Sequence, residues 1–205
     1  DKTMKLAVKF FPDFLKNKGV IGMFRFLISF LPEFKMLLGG GFPKLAILVE
    51  FAGDDEKTLA DQCRKLEELM GKFKLKIHIT KETEADKYWD IRRESFALLR
   101  KHIKGKRTAP FIDDVIVRPE FLPKFLPELN GILGQYADQL IYTLAGHAGD
   151  GNFHVIPLMD FRRADTAKVI LEVSGKVFDL VLRYQGSLTA EHNDGLIRSP
   201  YLKQM

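Results

Sequence analysis

The spacing of apolar residues changes along the chain, and each pattern predicts a different kind of element. Apolar and polar side chains alternate through 73–79, which predicts a strand with one face in water. The run 44–51 is continuously β-prone, as expected for a strand in the middle of a sheet. Similar apolar runs predict three more strands, at 111–117, 140–145 and 153–158.

Helical periodicity separates these strands, and capping residues mark where several helices begin or end. Asp54 or Asp55 can cap the first helix, which Gly71 closes. Pro119 suits the first turn of another helix. Two further helices are predicted at 84–100 and 165–183. The combined pattern predicts an α+β fold, a ferredoxin-like antiparallel sheet with helices packed on one face.

Residues 1–43 differ from the rest and are predicted to form a helical connecting segment. Within it, 20–31 is apolar around most of a helix but shorter than a membrane span, which takes ~20 residues. The apolar surface of this helix must be covered, and three covers stay open: the chain's own domain, a missing domain or a membrane surface. Glycines at 39–41 predict a hinge, after which 44–205 forms the compact domain. We expect the chain to be a piece of a longer protein, since it begins without an initiator Met.

Charge and cysteine content narrow the class of protein. The formal net charge is +5, and residues 1–40 hold seven Lys/Arg against three Asp/Glu, so the excess is largely N-terminal. The basic run at 100–107 has no aromatic residue for base stacking, which argues against a nucleic-acid partner. Cys63 is the only cysteine, which excludes an internal disulfide and suits a reducing compartment. We therefore expect a cytoplasmic protein, with peripheral association at the inner face of the membrane left open.

The segment GHAGDGNFH, at 146–154, carries the residues with the clearest chemical potential. Its turn glycines allow a tight reversal between two strands, which brings His147 and His154 to one end of a hairpin. Two imidazoles within reach of each other can begin a zinc site, and Glu191-His192 is a source for the third ligand. A histidine in a polar turn is also commonly hydrogen-bonded to the backbone. The spacing alone leaves both interpretations open.

These motifs resemble a known family. GHAGDGNFH, followed by LTAEHNDGLIRSPYL, resembles the C-terminal domain of FAD-linked oxidases. That group includes D-lactate dehydrogenases, the glycolate oxidase flavoprotein subunit and D-2-hydroxyglutarate dehydrogenases. The resemblance covers 44–205 and includes the segments 88–96 and 110–115. The AEHNDG form is most similar to large bacterial members that carry an added iron–sulfur region.

The resemblance implies roles for particular residues. The implied ligands of a divalent metal, usually zinc, are His147, His154 and Glu191. His192 matches the general base, Arg92 matches an arginine that binds the substrate carboxylate, and Asn152 lies where flavin and substrate meet. The chemistry agrees, because a 2-hydroxy acid can chelate a three-ligand metal and an imidazole can accept its hydroxyl proton at neutral pH.

The resemblance also implies an activity. It is the oxidation of a D-2-hydroxy acid to the 2-oxo acid, with hydride transfer to an FAD held by a missing N-terminal domain. The chain has no glycine-rich nucleotide loop leading into a helix, so we expect it to be inactive alone. Two alternatives stay open: a metal-binding or interaction module without redox chemistry, and a metal-free flavin oxidase.

Substrate identity is open at this stage. Phe96, the run 110–112 and Ile156 stand where some 2-hydroxyglutarate enzymes of the family carry polar residues. A second substrate carboxylate would then need other partners. The candidates are Lys106, Arg107 and Arg198.

Overall fold

The computed structural model describes residues 28–31, 35, 47–73, 75, 77–81, 85–89, 103 and 105–205. The chain divides into two compact units, with the boundary between residues 99 and 100. The predicted boundary between residues 43 and 44 lies outside the described residues and stays a prediction.

The first unit contains the capped helix that the sequence predicts. Helix α1 spans Glu56–Met70, and the side chain of Asp55 accepts hydrogen bonds from the backbone N–H groups of Lys57 and Thr58. Such a cap satisfies donors that have no partner inside the helix. Gly71 follows the last turn, as predicted, but with φ −58 it is right-handed and uses none of glycine's extra freedom.

Helical residues also occur near the N-terminus and before the predicted active-site arginine. Ile28, Ser29, Leu31 and Lys35 are helical, in agreement with the predicted N-terminal helical segment, and so are residues 85–89. Buried Lys87 donates from Nζ to the carbonyl of Ser29 at 2.5 Å and lies 4.8 Å from the centre of the Phe30 ring. The remainder of the predicted helix, residue 84 and residues 90–100, lies outside the described residues.

Two predicted strands of this unit are not formed by their described residues. The described residues of 44–51 and 73–79 have no strand structure, and their large apolar side chains are exposed except for the half-buried Phe51. A strand requires a neighbour for its backbone N–H and C=O groups. Apolar patterning indicates a face that can be buried, but it does not say whether a partner strand lies beside it. Both predictions are therefore wrong for the described residues.

The second unit carries a sheet and its helices, and it confirms the α+β class. The strands are β1 (Arg107–Thr108), β2 (Asp113–Ile116), β3 (Leu140–His147) and β4 (Asn152–Met159). The helices are α2 (Leu122–Gly134), α3 (Thr166–Arg183) and α4 (Gly195–Arg198), with 3-10 turns at Pro119–Phe121 and Ser199–Gln204. Among the described helices, none is long and apolar enough to cross a membrane.

Strand β4 is the centre of the antiparallel sheet. Its full length pairs with β3 on one edge, while β2 and then β1 pair with its other edge. Because neighbouring side chains on a strand point to opposite faces, β4 divides its residues between two environments. Phe153, Val155 and Met159 join the hydrophobic core, whereas Asn152 and His154 occupy the other face.

Helices α2 and α3 pack together and close the core. Leu129 and Leu133 of α2, with Val177 and Phe178 of α3, are fully buried and contact the same apolar cluster as β4. Burying side chains of this size contributes about 1.5–3 kcal/mol each. The helices therefore stabilise the face of the sheet opposite to Asn152 and His154.

Gly151 gives the turn between β3 and β4 a backbone conformation that residues with a Cβ atom rarely adopt. Gly151 has φ +75, and a Cβ atom placed there would lie 1.8 Å from the carbonyl oxygen of Val117. The close approach of the two backbones allows a hydrogen bond, in which the N–H of Val117 donates to the Gly151 carbonyl at 3.1 Å. Gly149, in the same turn, has open space where a Cβ would stand.

The two glycines provide a matched test of this turn. Gly151→Ala is expected to lower the free energy of unfolding by at least about 2 kcal/mol, because the left-handed backbone alone costs on the order of 1–3 kcal/mol and the overlap adds to it. Gly149→Ala is expected to change it by less than about 0.5 kcal/mol. Urea denaturation of both variants measures the difference, and equal effects would contradict this account of the turn.

Candidate metal-binding site

The chain after α3 is brought back to the sheet beside β2. Ser187 and Ile116 exchange backbone hydrogen bonds of 2.9 and 3.1 Å. Gly186 makes this passage possible, since a Cβ there would lie 2.3 Å from the carbonyl oxygen of Ile116. The following residues, including Glu191 and His192, therefore lie next to the polar face of the sheet.

Asp114 fixes this loop to the sheet. It stands opposite His154 in the register of β2 with β4, and it is fully buried. Its Oδ2 accepts three consecutive backbone N–H groups, from Ala190 at 2.8 Å, Glu191 at 2.9 Å and His192 at 2.8 Å. A row of converging N–H groups favours a negative charge. The loop is thus folded around the carboxylate.

The charge on Asp114 is stabilised by these contacts. Burial raises the pKa of an aspartate, but the N–H groups of His192 and Ala190, the Asn152 amide and the N–H of Glu191 outweigh burial and hold the pKa of Asp114 below its ordinary value. The carboxylate is therefore ionised at neutral pH.

Three of the predicted site residues meet at one point. Glu191 Oε1 lies 3.2 Å from His147 Nε2 and 2.7 Å from His154 Nε2. The two imidazole rings are nearly perpendicular, at 88°. Ligand atoms about 2.1 Å from a tetrahedral zinc stand about 3.4 Å apart, so the 3.2 Å separation is close to that of a metal site and the 2.7 Å separation is shorter. We call His147, His154 and Glu191 the ligand cluster, and it can hold a divalent ion.

A second grouping, of Asp113, His154 and His192, also brings ligand-type atoms within 4.8 Å of one another. The rings of His154 and His192 are stacked, however, with centroids 4.6 Å apart and planes at 10°. The lone pair of a ring nitrogen lies in the plane of its ring, so two parallel rings do not direct their lone pairs at one ion. This geometry favours the ligand cluster as the metal site.

His192 lies beside the ligand cluster. Its Nε2 is 3.9 Å from Glu191 Oε1, and its Nδ1 is 3.2 Å from Asp113 Oδ2. The His192 side chain is 47% exposed, so a small molecule can reach it. The predicted base and the predicted ligands are therefore brought together.

The side-chain amide of Asn152 is buried and hydrogen-bonded to strand β2. It is 4% exposed, and its Nδ2 donates to Asp114 Oδ1 at 2.7 Å and to the carbonyl of Val115 at 3.3 Å. Its Oδ1 is also buried and has no hydrogen-bond partner among the described residues. The amide therefore helps to hold Asp114, and its predicted contact with a flavin stays a prediction.

Of the two predicted arginines, Arg198 can be placed and Arg92 cannot. Arg198 is 3% exposed and donates to the carbonyls of Asp114 at 3.0 Å, Leu188 at 3.3 Å and Asn193 at 2.6 Å. This guanidinium ties the loop to β2 and is not exposed for a substrate carboxylate. Arg92 lies outside the described residues, so its role stays a prediction.

Sequence reasoning did not single out the two aspartates of the site. Asp113 and Asp114 interrupt the apolar run at 111–117. Adjacent acids inside a predicted strand are unusual, because a buried carboxylate requires hydrogen-bond partners. These two acids within an apolar run were the feature of the sequence that could have predicted a polar network on this strand.

Comparison with known proteins identifies the family. Residues 43–205 match the profile of FAD linked oxidases, C-terminal domain. The chain belongs to this family, which confirms the resemblance carried by its histidine motifs.

Several characterised proteins are similar to the chain. It is 28% identical over 162 residues to D-2-hydroxyglutarate dehydrogenase of Haemophilus influenzae, covering 75% of this chain and 16% of that protein. D-2-hydroxyglutarate dehydrogenase of Pseudomonas putida is 31% identical over 169 residues, covering 79% of this chain and 16% of that protein. Glycolate oxidase subunit GlcD of Bacillus subtilis is 26% identical over 162 residues, covering 78% and 33%. The chain spans only a part, 16–33%, of the length of these relatives.

The Asp114 network makes a prediction for stability and its pH dependence. Asp114→Asn is expected to lower the free energy of unfolding by about 2–3 kcal/mol at neutral pH, because it removes the charge to which the loop N–H groups donate. Since the folded-state pKa of Asp114 is lowered, its contribution is complete above the ordinary pKa of about 3.9 and is lost as pH falls through the folded value.

The difference between wild type and Asp114→Asn should therefore shrink in acid. Urea denaturation at neutral pH and below pH about 3 measures it. Asp138→Asn, at an exposed aspartate of the same unit, is the charge-matched control and should change stability by less than about 0.5 kcal/mol. A variant as stable as the wild type at neutral pH would contradict the role assigned to Asp114.

Proposed function

We propose that this chain is the substrate-side domain of a flavin-dependent dehydrogenase that oxidises a D-2-hydroxy acid to the 2-oxo acid. Membership of the FAD-linked oxidase family supports the flavin. The names of the similar proteins, D-2-hydroxyglutarate dehydrogenase and a glycolate oxidase subunit, support the 2-hydroxy acid. The observation that carries the proposal is the convergence of His147, His154 and Glu191 beside a half-exposed His192.

The chemistry of the ligand cluster suits a divalent metal such as zinc. Two imidazoles and a carboxylate leave an open coordination position, which is the donor set of a catalytic rather than a structural site. A bound ion would supply Lewis-acid polarisation of the substrate hydroxyl. The Asp114 carboxylate lies 3.7 Å from His154 Nδ1, beyond hydrogen-bond distance, and Nδ1 has no hydrogen-bond partner among the described residues.

His192 is proposed to accept the proton of the 2-hydroxyl group. Its Nε2 is the ring nitrogen nearer to the ligand cluster, and half of the side chain is open to solvent. An imidazole is suited to this transfer near neutral pH, where it can be an acceptor. The hydrogen on C2 would leave as hydride to an FAD bound by another domain of the protein.

The remaining parts of the proposal come from the family resemblance. Arg92 is proposed to bind the substrate carboxylate through two parallel hydrogen bonds, which would fix the face of C2 that is presented to the flavin. The greater length of the relatives supports a parent protein with further domains. From the family resemblance we propose that these include the FAD-binding domain and an iron–sulfur domain.

One observation favours a second candidate, a metal-free flavin oxidase. Glu191 Oε1 lies within 3.2 Å of both imidazole Nε2 atoms, so the carboxylate can satisfy His147 and His154 without an ion. In that case the three residues would shape the pocket and only His192 would take part in proton transfer. Metal content distinguishes the two candidates.

The chain is expected to bind about one divalent ion per molecule after dialysis against trace zinc, because three donors converge at one point. His154→Ala should abolish this binding, since it removes one of the three ligand atoms, the Nε2 that lies 2.7 Å from Glu191 Oε1. Inductively coupled plasma mass spectrometry of the purified chain measures the metal content.

His78→Ala is the matched control, because His78 is exposed and lies in the other unit of the chain. It should bind as much metal as the wild type. Equal loss in both variants would indicate adventitious binding by histidines, and no binding by the wild type would favour the metal-free oxidase.

Replacement of His192 tests the catalytic part of the proposal. In the full-length flavoprotein, His192→Ala is expected to slow flavin reduction by a 2-hydroxy acid by about 10²–10⁴-fold, the range attributed to a general base. Metal content should stay at the wild-type value, because Nε2 of His192 lies outside the ligand cluster. Stopped-flow absorbance of the flavin measures the rate constant, and an unchanged value would exclude His192 as the base.

A further inference from the structure

We propose that Asp113 is a positioning residue for His192. Its carboxylate would hold the proton of the imidazole on Nδ1 and so leave Nε2 as the acceptor facing the ligand cluster. The orientation of the ring follows from the structure alone, whereas its catalytic consequence depends on the proposed function.

Besides a hydrogen bond from Thr189 Oγ1 to its carbonyl at 3.3 Å, His192 makes three contacts that each fix a different part of it. The backbone N–H donates to Asp114 Oδ2 at 2.8 Å, which places the residue. The ring stacks on His154 at 4.6 Å, which fixes its plane. Asp113 Oδ2 lies 3.2 Å from Nδ1, which fixes the rotation of the ring within that plane. Only the third contact distinguishes one ring nitrogen from the other.

The backbone of Asp113 explains how it reaches His192. In a regular strand the side chains of Asp113 and Asp114 would point to opposite faces of the sheet. Both nevertheless contact His192, one at the ring and the other at the backbone. Asp113 has φ +40, a left-handed conformation that residues with a Cβ atom rarely adopt and that aspartate tolerates better than most. This backbone conformation interrupts the regular alternation of side chains along β2, and the Asp113 carboxylate therefore points to the ring of His192.

The consequence is chemical. A carboxylate is only an acceptor, so it selects the tautomer with hydrogen on Nδ1. Nε2 then has its lone pair available, and it is 3.9 Å from the carboxylate of the ligand cluster. The same pairing of a carboxylate with one ring nitrogen orients the base in Ser-His-Asp triads.

The structural part is tested on the chain itself, without metal or flavin. Long-range nitrogen–proton correlation spectra of ¹⁵N-labelled chain, recorded in EDTA about two pH units above the ordinary histidine pKa, report the tautomer of each imidazole. His192 is expected to carry its proton on Nδ1 in the wild type. In Asp113→Asn the amide can donate to Nδ1, so the proton is expected to shift to Nε2.

Asp150→Asn is the control, because it removes an exposed carboxylate from the hairpin turn at the same end of β4. It should leave the tautomer of His192 unchanged. Asp113→Ala is a second variant, in which His192 should lose its fixed tautomer. A wild-type proton on Nε2, or the same tautomer in wild type, Asp113→Asn and Asp113→Ala, would overturn the proposal.

The catalytic consequence is measured in the full-length flavoprotein. Asp113→Asn is expected to lower the rate constant of flavin reduction by about 10²–10³-fold, with KM changed less than about threefold and metal content retained, because only the acceptor nitrogen is altered. Loss of metal in Asp113→Asn would overturn the proposal, since it would make Asp113 a ligand. A shifted tautomer with an unchanged rate would support the positioning of the ring and contradict His192 as the base.

Discussion

The site depends on a buried carboxylate that accepts three consecutive backbone N–H groups. Asp114 lies on β2, and the groups it binds belong to residues 190–192. A buried charge that lacks partners is strongly destabilising, and this loop cannot leave the sheet without removing all three backbone donors from Asp114 Oδ2. The position of Glu191 and His192 is therefore determined through their backbone, and their side chains remain available for chemistry.

The sheet keeps stability and chemistry on different faces. Phe153, Val155 and Met159 of β4 share one hydrophobic cluster with α2 and α3, while Asn152 and His154 on the other face contact Asp114 and the loop. Most side chains of the site are therefore presented by strands whose positions are set by a fully buried core. Such rigid support is what a ligand set needs, because donor atoms must be held to within a few tenths of an ångström. The guanidinium of Arg198 closes the network by joining β2 to both ends of the loop.

The parts of the structure that depend on local pattern could be predicted from the sequence. The cap at Asp55, the helix after Pro119 and the hairpin between His147 and His154 follow from short-range rules. The strands expected at 44–51 and 73–79 did not form in their described residues, because strand formation depends on a partner that the pattern does not specify. The roles of Asp113 and Asp114 were not predicted for a related reason. Their contacts join residues 76–79 positions apart, and no local rule relates such positions.

The left-handed backbone of Asp113 adds a second carboxylate, beside that of Asp114, to the hydrogen-bond network around His192. In a regular strand one of the two carboxylates would point into the hydrophobic core and the other toward the site. A carboxylate among apolar side chains would be destabilising. The left-handed backbone of Asp113 avoids that outcome by turning its side chain toward His192. Because Asp114 already holds the backbone of His192, the second carboxylate acts on a residue whose position is set, and its effect is confined to the ring. Placement of the loop and orientation of the imidazole are thus separate tasks, and the latter can be altered without disturbing the ligand cluster.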